Sequence, residues 1–179
     1  YSLLRNLSMY INYRYKQKER DVTGTSGKVI LPTYHHRTRY RLIYTPATWK
    51  LQTTIDYNHF HSQDKPVGQG YQCTQSLAYS FPSFPVVVSL QGTYFHTDDY
   101  DSRIYASERG MLYSFYTPSF YGRGFRYSAY FRYDLNKTFM FLVKFGQTNY
   151  LDRDIIGSGN DQIEGSRKTD MQMQIRIKL

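Results

Sequence analysis

The stretch Thr169-Asp170-Met171-Gln172-Met173-Gln174-Ile175-Arg176-Ile177-Lys178-Leu179 decides the fold. From Met171 onward the odd positions are Met, Met, Ile, Ile and Leu, and the even positions are Gln, Gln, Arg and Lys. Successive side chains of a strand point to opposite sides, so this is a β-strand with one apolar and one polar side. A soluble sandwich produces the same pattern. Here the alternation runs on to Leu179 with no polar tail.

The same period recurs upstream. It predicts strands over residues 6–16, 37–45, 49–61, 71–81, 86–97, 103–116, 125–135 and 138–150, nine in all with the last. Residues 16–35 read as a charged, then Gly/Thr/Ser-rich loop, and 64–70 as a Gly/Pro loop. Short turns at 45–48, 82–85 and 136–137 alternate with longer connections. The fold class is therefore all-β, an antiparallel meander in a single domain, with about nine or ten strands. One region resists this reading. If 103–116 is a strand, the loops on either side of it fall on the same side of the sheet, which a single crossing cannot do.

Composition places the meander in a membrane. Tyr, Phe and Trp make up 18% of the 179 residues, yet the mean hydropathy is −0.63. No run approaches the length and apolarity of a spanning helix. A transmembrane β-barrel reconciles these facts, because only alternate residues face lipid while aromatics gather at the two interfaces. On this reading Leu7, Met9, Ile11, Leu42, Tyr44, Leu51, Ile55, Leu77, Val88, Leu90, Phe131, Phe141, Val143, Ile175 and Ile177 face lipid. A lumen face carries Arg14, Lys16, Arg37, Arg39, Arg41, Arg126, Arg132, Arg176 and Lys178. Charge costs about 2–4 kcal/mol near the lipid midplane, so these residues belong inward or above the membrane. Ile175→Arg should hurt, whereas Gln174→Arg should be tolerated. No secretory leader precedes the first strand, which implies a mature piece or fragment of a longer chain; an odd strand count implies the same.

Net charge is +9. Arg37, Arg39 and Arg41 lie about 7 Å apart along one strand side, where they repel unless solvent or counter-charge relieves them. They suit an anion-attracting lumen, phosphate contacts, or a wetted wall balanced by carboxylates elsewhere. His59 and His61 share a strand side but lack a third metal ligand. His59, Ser62 and Asp56 do not make a hydrolase triad, since Asp56 points opposite to His59. Asp98, Asp99 and Asp101 read as solvated loop charge, Cys73 as a small hydrophobe on the apolar side, and Gly122, Gly124, Gly157 and Gly159 as turn residues. No cofactor, metal site or catalytic residue is expected.

The terminal strand resembles the closing strand of a bacterial outer-membrane barrel. Arg103-Ile104-Tyr105-Ala106-Ser107-Glu108-Arg109, with Phe120-Tyr121-Gly122-Arg123-Gly124, forms one block, and Asp152-Arg153-Asp154-Ile155-Ile156-Gly157-Ser158-Gly159 with Ile163-Glu164-Gly165 a second. Together they resemble the C-terminal barrel region of Bacteroides-group outer-membrane proteins labelled for an N-terminal helix-hairpin-helix domain. The resemblance implies the bacterial outer membrane and a larger barrel of which this chain is the C-terminal part. The expected function is a pore or transport component, or a subunit of an outer-membrane complex, with outer-membrane lipid and proteins as partners. An outer-membrane enzyme acting on lipid and a soluble basic β protein binding nucleic acid are the alternatives. No helix-hairpin-helix element occurs in these residues, so nucleic acid is not an expected partner.

Overall fold

A computed structural model describes residues 2–4, 6–24, 27–114 and 117–178. The chain is all-β. Its strands are β1 (Ser2–Leu4), β2 (Leu7–Gly24), β3 (Gly27–Tyr44), β4 (Trp49–Ser62), β5 (Lys65–Ser80), β6 (Val86–Thr97), β7 (Ile104–Tyr105), β8 (Ser119–Phe120), β9 (Arg123–Asp134), β10 (Phe139–Tyr150), β11 (Ile155–Ile156), β12 (Ile163–Glu164) and β13 (Arg167–Ile177). Nine of them form one antiparallel meander in the order β1-β2-β3-β4-β5-β6-β9-β10-β13. The pairs β7-β8 and β11-β12 are two-residue ladders within the long connections. No helix among the described residues is long and apolar enough to cross a membrane.

Three expected boundaries change. Residues 17–24 and 27–35 are strand rather than loop, so β2 and β3 form a ladder of 18 residues a side, from Leu7 opposite Tyr44 to Gly24 opposite Gly27, and residues 25–26 lie outside the described residues. At about 3.3 Å per residue this hairpin is ~60 Å long. Its charged run hid it, because Lys16 to Asp21 has no apolar alternation to read. β5 likewise starts at Lys65, inside the stretch taken for a Gly/Pro loop.

The third change removes the topological difficulty. Residues 103–114 hold no spanning strand, and Phe115 and Tyr116 lie outside the described residues. The whole stretch 98–122 is one connection that leaves β6, crosses one side of the sheet and returns to β9 beside it. The alternation that suggested a strand comes from burial against that side: Ser102, Ile104 and Ala106 are buried while their neighbours are less so. With this segment removed from the count, turns 45–48, 81–85 and 135–138 share a lower end, and connections 63–64, 98–122 and 151–166 share an upper end.

We call the side covered by 98–122 the inner side. Two apolar clusters sit there, under the segment. Phe95, Ala106, Phe120, Tyr150 and Ile156 form one, and Met111, Tyr130, Met140 and Leu142 the other. The inner side is thus not uniformly polar, as strand parity implied. Large residues occur at inner positions because the connection needs something to pack on.

Glycines admit this packing. A Cβ at Gly70 would lie 2.5 Å from the Ser102 carbonyl oxygen, and one at Gly146 would lie 2.3 Å from the Arg126 guanidinium. Closure of the sheet is not seen among the described residues: β13 pairs with β10 along one edge and with no strand along the other. Leu179 lies outside the described residues.

Candidate functional site

Register decides which side each expected site residue occupies. Leu7 pairs with Tyr44, Tyr44 with Leu51, Leu51 with Leu77, Leu77 with Leu90, and Val88 with Phe131. Phe131 pairs with Val143, Phe141 with Ile175, and Phe139 with Ile177. Cross-strand partners share a side, so this chain of pairs draws one predominantly apolar outer surface, interrupted at Thr53 and Gln75, whose side chains hydrogen-bond at 2.7 Å. Met9, Ile11, Leu42 and Ile55 join it by the same registers. Ile11, Met171, Met173 and Ile175 are all more than 60% exposed there. Cys73, opposite Ile55 and Tyr94, is exposed in the middle of this surface.

Aromatic rings band the outer side at two levels. Near the upper end run Tyr13, His36, His59, Tyr57, Tyr71, Tyr94 and Phe125. Tyr71 is 6.1 Å from Tyr94, Tyr94 is 5.0 Å from Phe125, and the His36 and His59 rings are 5.8 Å apart. Near the lower end Trp49 packs against Tyr79 at 4.4 Å with the rings tilted, and Tyr79 meets Phe81 edge-on at 4.7 Å. Along β4 the bands at Trp49 and Tyr57 are eight residue steps apart, ~27 Å of strand. At barrel-like strand tilts near 40° that is about 20 Å of height, close to the ~25 Å apolar band of outer-membrane barrels. His59 and His61 sit in the upper band with Tyr34 and His36, and no group of three metal-ligating side chains forms among the described residues.

The expected basic residues share the opposite side. Arg14 pairs with Arg37, Arg39 with Asp56, Arg41 with Thr54, Arg126 with Thr148, Arg132 with Leu142, and Arg176 with Met140. Lys16 pairs with His35, and Lys178 follows the end of β13. They do not form one ladder, because residues 98–122 divide the inner side into two unlike zones.

In the first zone a buried cluster of charges is matched, although Arg176 beside it keeps a buried Nε without a partner. Arg126 is 3% exposed. Its Nε donates to Glu108 Oε1 at 2.5 Å, its Nη1 to Asp170 Oδ1 at 2.6 Å, and the same nitrogen to Thr148 Oγ1 at 3.1 Å. Lys144 Nζ lies 2.9 Å from Glu108 Oε2. Two cations and two carboxylates thus balance, and Glu108, which 98–122 supplies, ties that segment to β9, β10 and β13. Gln174 adds a further tie: its amide donates to the Leu112 carbonyl and accepts from the Leu112 N–H, both at 2.9 Å. Gln174 is therefore not the free polar position the alternation suggested.

Glu108, Lys144 and Asp170 were missed from sequence. Lys144 was detectable, as the one charge among Phe139, Phe141, Val143 and Phe145. Glu108 was not, since its segment was read as a strand.

In the second zone charge is unmatched. Arg14, Arg37, Arg39 and Arg41 line a cavity of about 670 Å³ with Tyr10, Asn12, Asn58, Ile104 and Tyr105. Toward the upper end a second hollow of about 270 Å³ adds Lys16, Lys18, His35 and Arg103. Asp56 is the one carboxylate in the linings, and it is committed: Arg39 donates to one oxygen, and Gln72 Nε2 to the other at 2.6 Å. Arg41 Nη2 reaches Ser107 at 3.2 Å, yet its buried Nε has no partner. Asn58 closes the wall by donating to the Arg103 carbonyl at 2.7 Å.

The remaining candidates resolve simply. Asp56 faces inward and His59 outward, so they form no triad. Asp98 accepts from the Gln69 N–H at 3.0 Å, Asp99 from the Ser102 N–H at 2.7 Å, and Asp101 meets Lys65 at 2.5 Å and Arg20 at 3.6 Å. Arg20 also reaches Asp64 at 2.5 Å, so these acids fasten the β2–β3 hairpin and 98–122 across the upper end. Gly122 and Gly157 hold φ near +80°, and Gly159 holds +64°. No family model, curated protein or solved structure matches the chain.

Proposed function

We propose that this sheet is part of the wall of a bacterial outer-membrane β-barrel, with lipid against its outer side and a water-filled or plugged lumen against its inner side. The observation that carries the reading is the outer side itself: a predominantly apolar surface between two aromatic bands, interrupted at Thr53 and Gln75, which satisfy one another at 2.7 Å, on strands whose other side bears Arg126, Lys144 and the arginines of β3. Apolar surface on this scale marks a membrane or protein contact. Lipid accounts for the aromatic bands and their separation as well; a soluble nucleic-acid-binding sheet accounts for neither. A free edge at β13 fits a wall that continues, since unpaired backbone in hydrocarbon costs several kcal/mol per group.

The role is non-catalytic: a pore or transport component, or a subunit of an outer-membrane complex, with outer-membrane lipid as one partner. Residues 98–122 favour a narrowed lumen, because buried ion pairs fix them against the inner side. Cys73, the only cysteine, gives the test. With the chain in lipid nanodiscs, a charged maleimide should label Cys73 far more slowly than apolar N-phenylmaleimide, and a Ser89→Cys variant lacking Cys73 should show the reverse. Fast labelling of Cys73 by the charged reagent would refute a lipid contact.

A further inference from the structure

We propose that the unmatched basic cavity binds a linear oligophosphate, an anion carrying several phosphate charges along its length. This deepens the reading above, as it takes the inner side to be the one that soluble ions reach. The argument begins from a contrast within one sheet. Where 98–122 is anchored over β9, β10 and β13, two cations meet two carboxylates in one cluster; across β4, β5 and β6, on β2 and β3 and at Arg103, seven cations meet one carboxylate that is already committed. Like charges this close repel unless a counter-ion relieves them. Among the described residues the linings hold no carboxylate beyond Asp56, and the buried Nε of Arg41 keeps an unmet donor.

Geometry sets the shape of that counter-ion. Arg37, Arg39 and Arg41 recur every ~7 Å along β3, and Arg14 lies directly across from Arg37. Lys16 and Lys18 continue the row on β2. From Arg41 to the level of Lys18 the cations extend ~26 Å, too long for one phosphate. Guanidinium forks hold phosphate oxygens two at a time, which favours phosphate along the arginine part of the row. Ile104 and Tyr105 wall the cavity from above, and about 670 Å³ excludes a duplex or a folded partner. The ligand comes from solution rather than from a lipid headgroup, because the cations lie opposite the apolar side.

The test is calorimetric titration of the full chain in detergent micelles, at constant ionic strength, with tripolyphosphate, pyrophosphate and orthophosphate. Affinity should rise with each phosphate. The variant with Arg14→Gln and Arg37→Gln should lose about tenfold or more of tripolyphosphate affinity, as expected for lost charge-assisted contacts. A second variant, Lys16→Gln with Lys18→Gln, changes exposed residues and should also weaken binding.

Arg132→Gln, on the same side but outside both hollows and paired with Asp134 at 2.8 Å, should change it less than about twofold. Equal affinity for the three anions, an equal loss with Arg132→Gln, tighter binding of an oligoglutamate, or displacement of tripolyphosphate by phosphatidic acid in nanodiscs would each overturn the assignment. A chain that stays soluble without detergent yet passes these tests keeps the site and loses the membrane wall; one that inserts but shows no selectivity does the opposite.

Discussion

Glu108 does most to hold residues 98–122 in place. Its carboxylate takes Arg126 and Lys144 together, and its side chain is 2% exposed. Removing one member of a buried ion cluster leaves the others charged and desolvated, which costs about 3–5 kcal/mol. Glu108→Gln should therefore lower stability by roughly 3 kcal/mol, measured by urea titration of the fluorescence of Trp49, the only tryptophan. A loss within experimental error would mean that the segment rests on its apolar contacts alone.

A milder effect belongs to the loop at 151–166. Asp152 accepts from the Arg123 N–H at 3.0 Å and from Arg153 at 2.9 Å. The Arg153 hydrogen bond, more than the opposing burial, holds its carboxyl below the ordinary 3.8. A lowered carboxylate pKa stabilises the folded form fully above the unfolded value, and that gain is lost as pH falls through the folded value. Hydrogen-exchange protection at Arg123 and Leu151, taken relative to the intrinsic exchange rate at each pH, should accordingly stay flat from neutral pH down to about 4 and fall below it. Asp152→Asn should show the faster exchange at all pH values.

At the scale of single elements, β13 separates the two sides most clearly. Met171, Met173, Ile175 and Ile177 point outward, while Asp170, Gln174 and Arg176 point inward. Ile175→Arg places charge on the outer side and should cost about 2–4 kcal/mol in a bilayer. Arg176→Gln removes an inner charge whose Nε has no partner and should cost far less. Heat-modifiable gel mobility of membrane fractions reads the difference. Equal folding of the two variants would contradict a lipid outer side.

The long elements and the side of each expected residue could be read from alternation, because a period of two is visible wherever one side is apolar. Three things were not legible, each for a physical reason. In the upper half of the β2–β3 hairpin, β2 carries charge on both sides, and its partner in β3 runs Val29-Ile30-Leu31-Pro32 without polar alternation, so neither has a period to detect. Ile104 and Ala106 alternate in burial without being in a spanning strand, since a connection lying on a sheet also hides every second residue. The pairing of Glu108 with Arg126 and Lys144 depends on where that connection lands, which no local pattern encodes.

For the whole molecule the account reduces to one asymmetry. A meander of eight long strands and one short one presents a mostly apolar outer side, and its inner side is divided between a zone anchored by an ion cluster and a basic cavity. The membrane reading, the non-catalytic role and the access of anions to the cavity all depend on the outer side meeting hydrocarbon and the inner side meeting water. Nitroxide labels placed singly at residues 169–177, with the protein in lipid bilayers, measure this directly through collision with oxygen and with a water-soluble nickel chelate. Oxygen should dominate at 171, 173, 175 and 177, and the chelate should gain at 170, 172, 174 and 176, with a period of two. Uniform chelate accessibility at all nine positions would contradict the account.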